Sequence, residues 1–234
     1  MIRPDLFLLH YAGGNVYSFN FITPYLKKRF NIIPIELPGR GKRIREKLLF
    51  DKDLAVDDLL TQILNNLNSN PFLIYGHSLG ASLGFSVINE LEKRKLFPLC
   101  FVATGNPGPN IKNDIQRFDL PKEEFISELK ILGGIENEIV ENEQLFSFFE
   151  PVLRADFEIV EKESGLSNDV KISTPIYACM GDKEKYCNQI QNWEQYTSNS
   201  FEFRLFNGNH FFIYDHAEEI AKIIRQCSER IATY

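Results

Sequence analysis

Several features that mark whole classes of protein are missing from this 234-residue chain. No stretch approaches the ~20 consecutive apolar residues of a membrane-spanning helix, which excludes a helical membrane protein. Only four cysteines are present and none are paired as CxxC, so we expect reduced thiols rather than a zinc site or a disulfide framework. An excess of basic residues is missing too. The net charge of −6 argues against general nucleic-acid binding, which relies on clustered Lys and Arg.

The first residues also lack the apolar segment and the small-residue cleavage site of a secretory signal. We therefore expect the mature protein to begin near Met1 and to remain in the cytoplasm. The overall composition, 44% hydrophobic and 25% charged, is close to that of average soluble proteins. At this length, which fits one large domain or two small ones, about 70% of the unfolded surface can be buried. We expect the protein to be a monomer.

Six short apolar runs alternate with helical patterns along most of the chain. The runs are rich in Ile, Val, Phe and Tyr, as buried parallel strands are. Apolar residues spaced by three or four follow Ser78, and the same spacing recurs over 217–231, which predicts two amphipathic helices packed on a sheet. The pattern indicates an α/β fold with a mostly parallel sheet. The predicted strands cover residues 6–9, 30–35, 72–75, 100–104, 176–180 and 201–206.

One stretch, from about residue 110 to residue 169, contains no convincing strand. Helical periodicity runs over 122–132 and 143–163, on either side of a Gly-Gly pair at 133–134. The part from 113 to 169 is also acidic, with 15 acidic and 5 basic residues. We interpret the stretch as a helical subdomain inserted into one domain that spans 1–234.

Two groups of side chains stand out in the insertion. Arg154 and Asp156 are expected to pair with each other rather than to meet a substrate. Four aromatic residues predict core packing or, alternatively, one wall of an apolar channel. They are Phe146, Phe148, Phe149 and Phe157.

The clearest catalytic motif is GHSLG at 76–80. It follows the apolar run 72–75 and precedes a helix, which is the context of a G-x-S-x-G nucleophile elbow. Glycines on either side remove Cβ atoms that would clash in so tight a turn, so the Oγ of Ser78 stands clear at the sheet edge. The alternative is that the two glycines only permit close packing of helix and strand. Ser78 is therefore the candidate nucleophile.

A serine hydroxyl is a weak nucleophile at neutral pH and needs a base. In this fold the chain order is nucleophile, acid and then histidine. His210 follows the run 201–206 and an Asn-Gly-Asn turn, where the last member belongs. His77 lies within the elbow and His216 within the last helical pattern. We predict that His210 is the general base, the alternative being a histidine that only caps its loop.

The third member of the triad should follow the run 176–180, on a loop that opens at Gly181. Asp182 and Glu184 lie there, and either carboxylate could accept the second imidazole N–H, fix the tautomer and stabilise the imidazolium. One carboxylate suffices, so the other is expected to be a solvated turn residue. The residue pattern leaves the choice open.

A tetrahedral intermediate also needs an oxyanion hole, built from the N–H after the nucleophile and a second N–H after an earlier strand. The first belongs to Leu79. The second should come from HYAGG at 10–14, where small residues let the backbone approach the substrate, and we predict Ala12 with Tyr11 as the alternative. The same sequence could be an ordinary glycine-rich turn. It is not a phosphate loop, because the Lys-Ser/Thr of that motif is missing.

Short motifs occur in a fixed order along the chain. They are HYAGG at 10–14, LPGRG at 37–41, GHSLG at 76–80, LGG at 132–134, LRADF at 153–157 and GNH at 208–210. In this order they resemble the type II thioesterases of polyketide and nonribosomal peptide biosynthesis over nearly the whole chain. The resemblance implies an α/β-hydrolase fold with a helical lid. It also implies a serine hydrolase that clears stalled or wrongly primed acyl groups from the phosphopantetheine arm of acyl or peptidyl carrier proteins. No metal or other cofactor is implied.

Two positions depart from the family pattern. The family commonly has proline where this chain has His10. Its acid is usually an aspartate three residues after the glycine, where this chain has Glu184. Glutamate is an accepted third member of such triads, so the resemblance favours Glu184 over Asp182.

Two other functions stay open at this point. The triad alone does not separate thioesters from esters, so a small-molecule carboxylesterase or an acyl-CoA hydrolase is the alternative enzyme. A binding subunit whose triad is disabled by the changed acid is the third possibility.

The densest positive charge of the chain lies at 40–47. Carrier proteins are typically acidic, and this segment follows a strand at the edge where Ser78 should lie. We therefore predict that the segment receives the carrier protein, the alternative being a solvated loop. The candidate binding residues are Arg40, Lys42 and Arg43, with Arg45 and Lys47 beside them.

Overall fold

Six strands of the computed structural model form one sheet in which every pairing is parallel. The structure describes residues 3–111, 113–135, 137–162 and 170–229. The strand order is β2-β1-β3-β4-β5-β6, which places β3 inside the sheet. The predicted fold class is confirmed, and each predicted strand boundary is within about two residues of the observed one. The strands are β1 Asp5–Leu9, β2 Asn31–Ile35, β3 Phe72–His77, β4 Phe101–Thr104, β5 Ile176–Gly181 and β6 Phe201–Phe206.

Helices connect the strands. They are α1 Thr23–Leu26, α2 Lys52–Asn66, α3 Leu79–Lys93, α4 Lys122–Leu132, α5 Asn137–Glu141, α6 Glu143–Glu161 and α7 Ala217–Glu229. The carboxylate of Asp51 caps α2 by accepting a hydrogen bond from Leu54 N. The predicted last helix is confirmed as α7, and residues 230–231 of that prediction lie outside the described ones. None of the helices within the described ranges is long and apolar enough to cross a bilayer.

Alternate residues of each strand face opposite layers of helices. In β1, Phe7 and Leu9 belong to one buried cluster, which α2 and α3 cover. Leu6 and Leu8 belong to a second buried cluster, which α1 and α7 cover. The inner strands are therefore buried on both faces, which is why they appear in the sequence as nearly continuous apolar runs.

Helices α4, α5 and α6 lie between β4 and β5, as the sequence predicts for the insertion. Helices α4 and α6 share a buried cluster that includes Phe125, Phe146 and Phe157. The expectation of core or channel packing is wrong for Phe148, which is 58% exposed. Residues 112, 136 and 163–169 of the predicted insertion lie outside the described ones.

Candidate active site

Ser78 lies at the sharp turn between β3 and α3. Its backbone has φ 55° and ψ −113°, a strained conformation for a residue other than glycine. A Cβ atom on Gly76 would overlap the backbone of Gly80, and a Cβ atom on Gly80 would overlap the carbonyl oxygen of Leu9. Backbone contacts therefore require both glycines, and the turn has the geometry that the GHSLG motif predicts.

The turn opens into a cleft of about 910 Å³. The cleft lies at the carboxyl ends of the strands, the edge at which open α/β sheets bind ligands, and its volume is in the range of small-molecule sites. The structure brings the predicted nucleophile, the predicted oxyanion residues, the predicted base and one of the two predicted acids to this one cleft. Its lining includes Ala12, Ser78, Leu79, Glu184 and His210.

His210 and Glu184 are hydrogen-bonded to each other. The Nδ1 of His210 lies 2.6 Å from Glu184 Oε2, and both side chains are largely buried. The other oxygen of Glu184, Oε1, accepts a hydrogen bond of 2.7 Å from Gly181 N. The carboxylate is thus fixed at both oxygens, and it holds the Nδ1–H tautomer of His210 with Nε2 free to act as a base.

Asp182, the second predicted acid, has a different partner. Its Oδ1 accepts a hydrogen bond of 2.9 Å from Gly208 N, and the side chain is exposed. No contact between Asp182 and His210 is found among the described residues. The expectation that either carboxylate could reach the imidazole is therefore wrong for Asp182, because its shorter side chain turns to the backbone of the loop that carries His210.

His77 packs against His210 inside the protein. The two ring centroids are 4.9 Å apart, and Nδ1 of His77 lies 3.0 Å from Thr104 Oγ1. Burial lowers the pKa of His77 well below its ordinary value, and the neighbouring His210 acts in the same direction. His77 is therefore neutral and places no positive charge beside His210.

The predicted oxyanion residues occupy two tight backbone segments. Leu79 is the first residue of α3, so its N–H is one of those that have no acceptor within the helix. Residues 11–14, which we call the oxyanion turn, are closed by a hydrogen bond of 2.8 Å from Gly14 N to Tyr11 O. Ala12 lies in the middle of this turn and its N–H takes no part in closing it. Both N–H groups thus belong to residues of the cleft that contains Ser78.

The family model that describes the thioesterase domain matches residues 4–227. The chain belongs to the thioesterase domain family. It is 30% identical over 226 residues to LgrE of Brevibacillus parabrevis, named linear gramicidin dehydrogenase, with 94% of this chain and 85% of that protein covered.

Two solved structures are similar to the whole thioesterase. ClbQ from the colibactin NRPS/PKS pathway superposes with a TM-score of 0.89 at 25% identity, covering 97% of this chain and 98% of ClbQ. The type II thioesterase BorB from the borrelidin biosynthetic cluster gives 0.87 at 26% identity, covering 96% and 92%. These likenesses agree with the parallel α/β sheet described above.

The thioesterase also contains a buried ion pair that the sequence analysis missed. Nη1 of Arg40 lies 2.5 Å from Asp156 Oδ2, with side-chain exposures of 4% and 0%. The prediction that Arg40 belongs to an exposed basic patch is therefore wrong. So is the prediction that Asp156 pairs with Arg154, because Arg154 pairs with Glu150 at 2.8 Å.

Arg43 is also less available than predicted. Its guanidinium binds Asp58 at 2.7 and 2.8 Å and Glu46 at 2.6 Å. Its charge is thus compensated by two carboxylates, which corrects its expected role as a free docking residue. The exposed basic side chains of the segment are Lys42, Arg45 and Lys47.

One sequence signal could have located the buried pair. Asp156 stands between apolar residues of α6 at the spacing of its buried face, which also holds Val152, Leu153 and Phe157. A carboxylate on the buried face of a helix requires a cation or hydrogen-bond donors. The pattern therefore indicated a partner inside the protein, although not which one.

Proposed function

We propose that this thioesterase hydrolyses acyl groups from the phosphopantetheine arm of carrier proteins in polyketide or nonribosomal peptide biosynthesis. The observation that carries the proposal is the joint position of Ser78, His210 and Glu184 in one cleft, with the Glu184 carboxylate 2.6 Å from the imidazole. The similarity to the type II thioesterase BorB supports the carrier-bound substrate.

The chemistry follows from the arrangement of the side chains. Ser78 Oγ attacks the thioester carbonyl while Nε2 of His210 takes the hydroxyl proton, and Glu184 stabilises the imidazolium. The N–H groups of Ala12 and Leu79 bind the oxyanion. Collapse of the tetrahedral intermediate breaks the C–S bond, and the imidazolium returns its proton to the departing thiolate. Water, deprotonated by His210, then attacks the acyl-enzyme. The ester C–O bond to Ser78 breaks, the imidazolium returns the proton to Ser78 Oγ, and the carboxylic acid is released.

The lid supplies the apolar wall of the cleft. Leu132, Leu153 and Phe157 line it on the side of the insertion, and Met180 and Trp193 line it from the main body of the protein. Such a lining suits an acyl group of moderate size. We regard residues 1–234 as one hydrolase domain whose lid, at about 110–169, covers this acyl site. A monomer in the cytoplasm remains the expected state.

We infer that the carrier protein binds at the exposed part of the basic segment. Lys42, Arg45 and Lys47 are exposed there, and no ion pair of theirs is found within the described residues. Free cationic side chains at the rim of an interface increase the rate at which an acidic partner associates.

Hydrolysis of matched substrates tests the proposal. One acyl group would be presented on a carrier protein, on coenzyme A and as a p-nitrophenyl ester. We expect kcat/KM to be at least about tenfold higher for the carrier-bound thioester than for the others, because only the carrier engages the protein surface. Equal values on carrier and coenzyme A would instead indicate a general acyl-CoA hydrolase or esterase. An enzyme that neither turns over any substrate nor reacts with a fluorophosphonate would be the impaired binding subunit.

A further inference from the structure

Three distant segments of the chain meet at one carboxylate oxygen beside the oxyanion turn. Asp156, on lid helix α6, is fully buried. Its Oδ2 accepts a hydrogen bond of 2.7 Å from Gly13 N, and the same atom pairs with Arg40 from the segment after β2. The contact therefore joins the lid and the turn that carries Ala12.

We propose that Asp156 and Arg40 are positioning residues that fix the oxyanion turn, so that the lid helix sets the geometry of the oxyanion hole. The proposal rests on the serine-hydrolase chemistry proposed above. Neither residue is assigned contact with the substrate, and both act through the backbone of Gly13.

The geometry of the pair suits positioning better than stability. A buried arginine–carboxylate pair is most stable when two parallel hydrogen bonds satisfy both groups. Here Asp156 Oδ1 and Arg40 Nη2 are buried without a hydrogen-bond partner among the described residues. One oxygen is instead shared between the guanidinium and the amide of Gly13. The arrangement thus gives up part of the ion pair and gains a fixed backbone amide.

The oxyanion turn is held on its other side as well. Tyr11 O accepts hydrogen bonds from Gly14 N and from Nδ1–H of His10, both at 2.8 Å. Nε2 of His10 in turn accepts a hydrogen bond of 3.1 Å from Leu37 N. The peptide unit that carries the Ala12 N–H is therefore anchored through its own carbonyl, Tyr11 O, and the next peptide unit is anchored by Asp156 through Gly13 N.

The lid also touches the turn directly. Gly13 has φ +75°, and a Cβ atom at this position would overlap the side chain of Leu153. Leu153 lies three residues before Asp156, one turn along the same face of α6. The helix thus contacts the turn through one apolar and one charged side chain, and a shift of the helix would move the Ala12 amide with it.

Arg40 has a second effect on the oxyanion. Without the guanidinium, the carboxylate of Asp156 would stand unpaired next to the peptide unit that binds the developing negative charge. Two negative charges at such a short distance repel each other strongly in a buried site. We therefore expect Arg40→Gln to be more harmful than Asp156→Asn, and the neutral double variant to recover part of the activity that Arg40→Gln loses.

The experiment compares two inhibitors on the parent enzyme and on the variants Asp156→Asn, Arg40→Gln and their combination. An acyl trifluoromethyl ketone forms a hemiketal with Ser78 and places an oxyanion in the hole, whereas the matched methyl ketone binds without that charge. In these variants we expect kcat on an acyl-N-acetylcysteamine thioester to fall about 10- to 100-fold below the parent value, as for a misplaced oxyanion donor. KM should stay within about threefold of the parent value. The inhibition constant of the trifluoromethyl ketone should rise by the same factor, and that of the methyl ketone should not change.

Arg154→Gln is the matched control, because it removes an ion pair of α6 that does not touch the oxyanion turn. We expect this variant to lower the melting temperature. It should not raise the inhibition constant of the trifluoromethyl ketone more than that of the methyl ketone. Three results would overturn the proposal. They are an unchanged kcat in Asp156→Asn, an equal rise in the inhibition constants of both ketones, or a selective rise for the trifluoromethyl ketone in Arg154→Gln as well. If Arg40→Gln does not fold, Asp156→Asn and the double variant decide the matter. A parent enzyme that binds the trifluoromethyl ketone but ignores acyl-carrier thioesters would contradict the proposed function alone.

Discussion

The two walls of the cleft are built in different ways. On one wall, Ser78, Glu184 and His210 each follow the end of a strand by a few residues, and the backbone of the sheet places them. On the other wall, the oxyanion turn is held by Asp156, 143 residues further along the chain from Gly13. The first wall depends on local turns, and the second depends on how the lid packs. The second is therefore the wall that a movement of the lid would alter.

Removing the nucleophile should abolish the catalytic function of the first wall. We expect Ser78→Ala to lower thioester hydrolysis by more than about 10⁴-fold, because the oxyanion hole and binding alone leave only a small residual rate. The variant should fold, since alanine is no larger than serine at this strained turn. Acyl-thioester hydrolysis, fluorophosphonate labelling and a melting curve measure both effects. Residual activity within about tenfold of the parent would remove Ser78 from the mechanism.

The two acids of the β5 loop sharpen the comparison within the first wall. Glu184→Gln should lower kcat about 100-fold or more, because the amide keeps the contact with Gly181 but no longer stabilises the imidazolium. Asp182→Asn, the matched control, should lower kcat by less than about tenfold, since an amide oxygen can still accept a hydrogen bond from Gly208 N. Steady-state kinetics on one thioester ranks the two. The reverse order would assign the catalytic acid to Asp182.

This difference between the walls also explains what the sequence could predict. The inner strands β1, β3, β4 and β5 could be predicted because burial on both faces makes each a nearly continuous apolar run. Ser78 and His210 are legible because each follows such a run within a short glycine-containing turn. Arg40 is not, because its charged neighbours suggest a solvated loop, and Asp156 is not, because its partner depends on the packing of α6. Pairing across the lid leaves no periodic or local pattern in the sequence.

The anchor at His10 gives a pH test of the second wall. Burial lowers the pKa of His10 to about 4, and Arg40 acts in the same direction. Below the ordinary value of 6.5, the unfolded chain therefore binds a proton that the folded chain does not. As the pH is lowered from 6.5 to 4, this residue should therefore decrease the free energy of unfolding by up to about 1.4 kcal/mol per pH unit.

His10→Gln removes that proton and keeps an acceptor for Leu37 N. Urea unfolding between pH 7.5 and about 5 should therefore give a shallower pH dependence, by close to one proton. The slope should not vanish, since buried His77 also has a lowered pKa. An unchanged slope would mean that His10 is charged in the folded protein, and its hydrogen bond from Leu37 would then need another explanation.

The smallest effect is expected outside both walls, on the surface where we propose that the carrier protein binds. Lys42→Glu with Arg45→Glu should raise KM for an acyl-carrier protein about three- to tenfold at low salt and less at high salt, because exposed rim charges act mainly on association and are screened. Hydrolysis of the corresponding acyl-pantetheine should be unchanged. Lys28→Glu with Lys222→Glu makes the same charge change at other exposed sites and should leave both substrates unaffected. Arg43→Gln should lower stability rather than carrier affinity, since two carboxylates occupy its guanidinium. If Lys42→Glu with Arg45→Glu lowers the hydrolysis of both substrates equally, the basic segment supports the cleft itself. If it lowers the hydrolysis of neither, the carrier binds on another face.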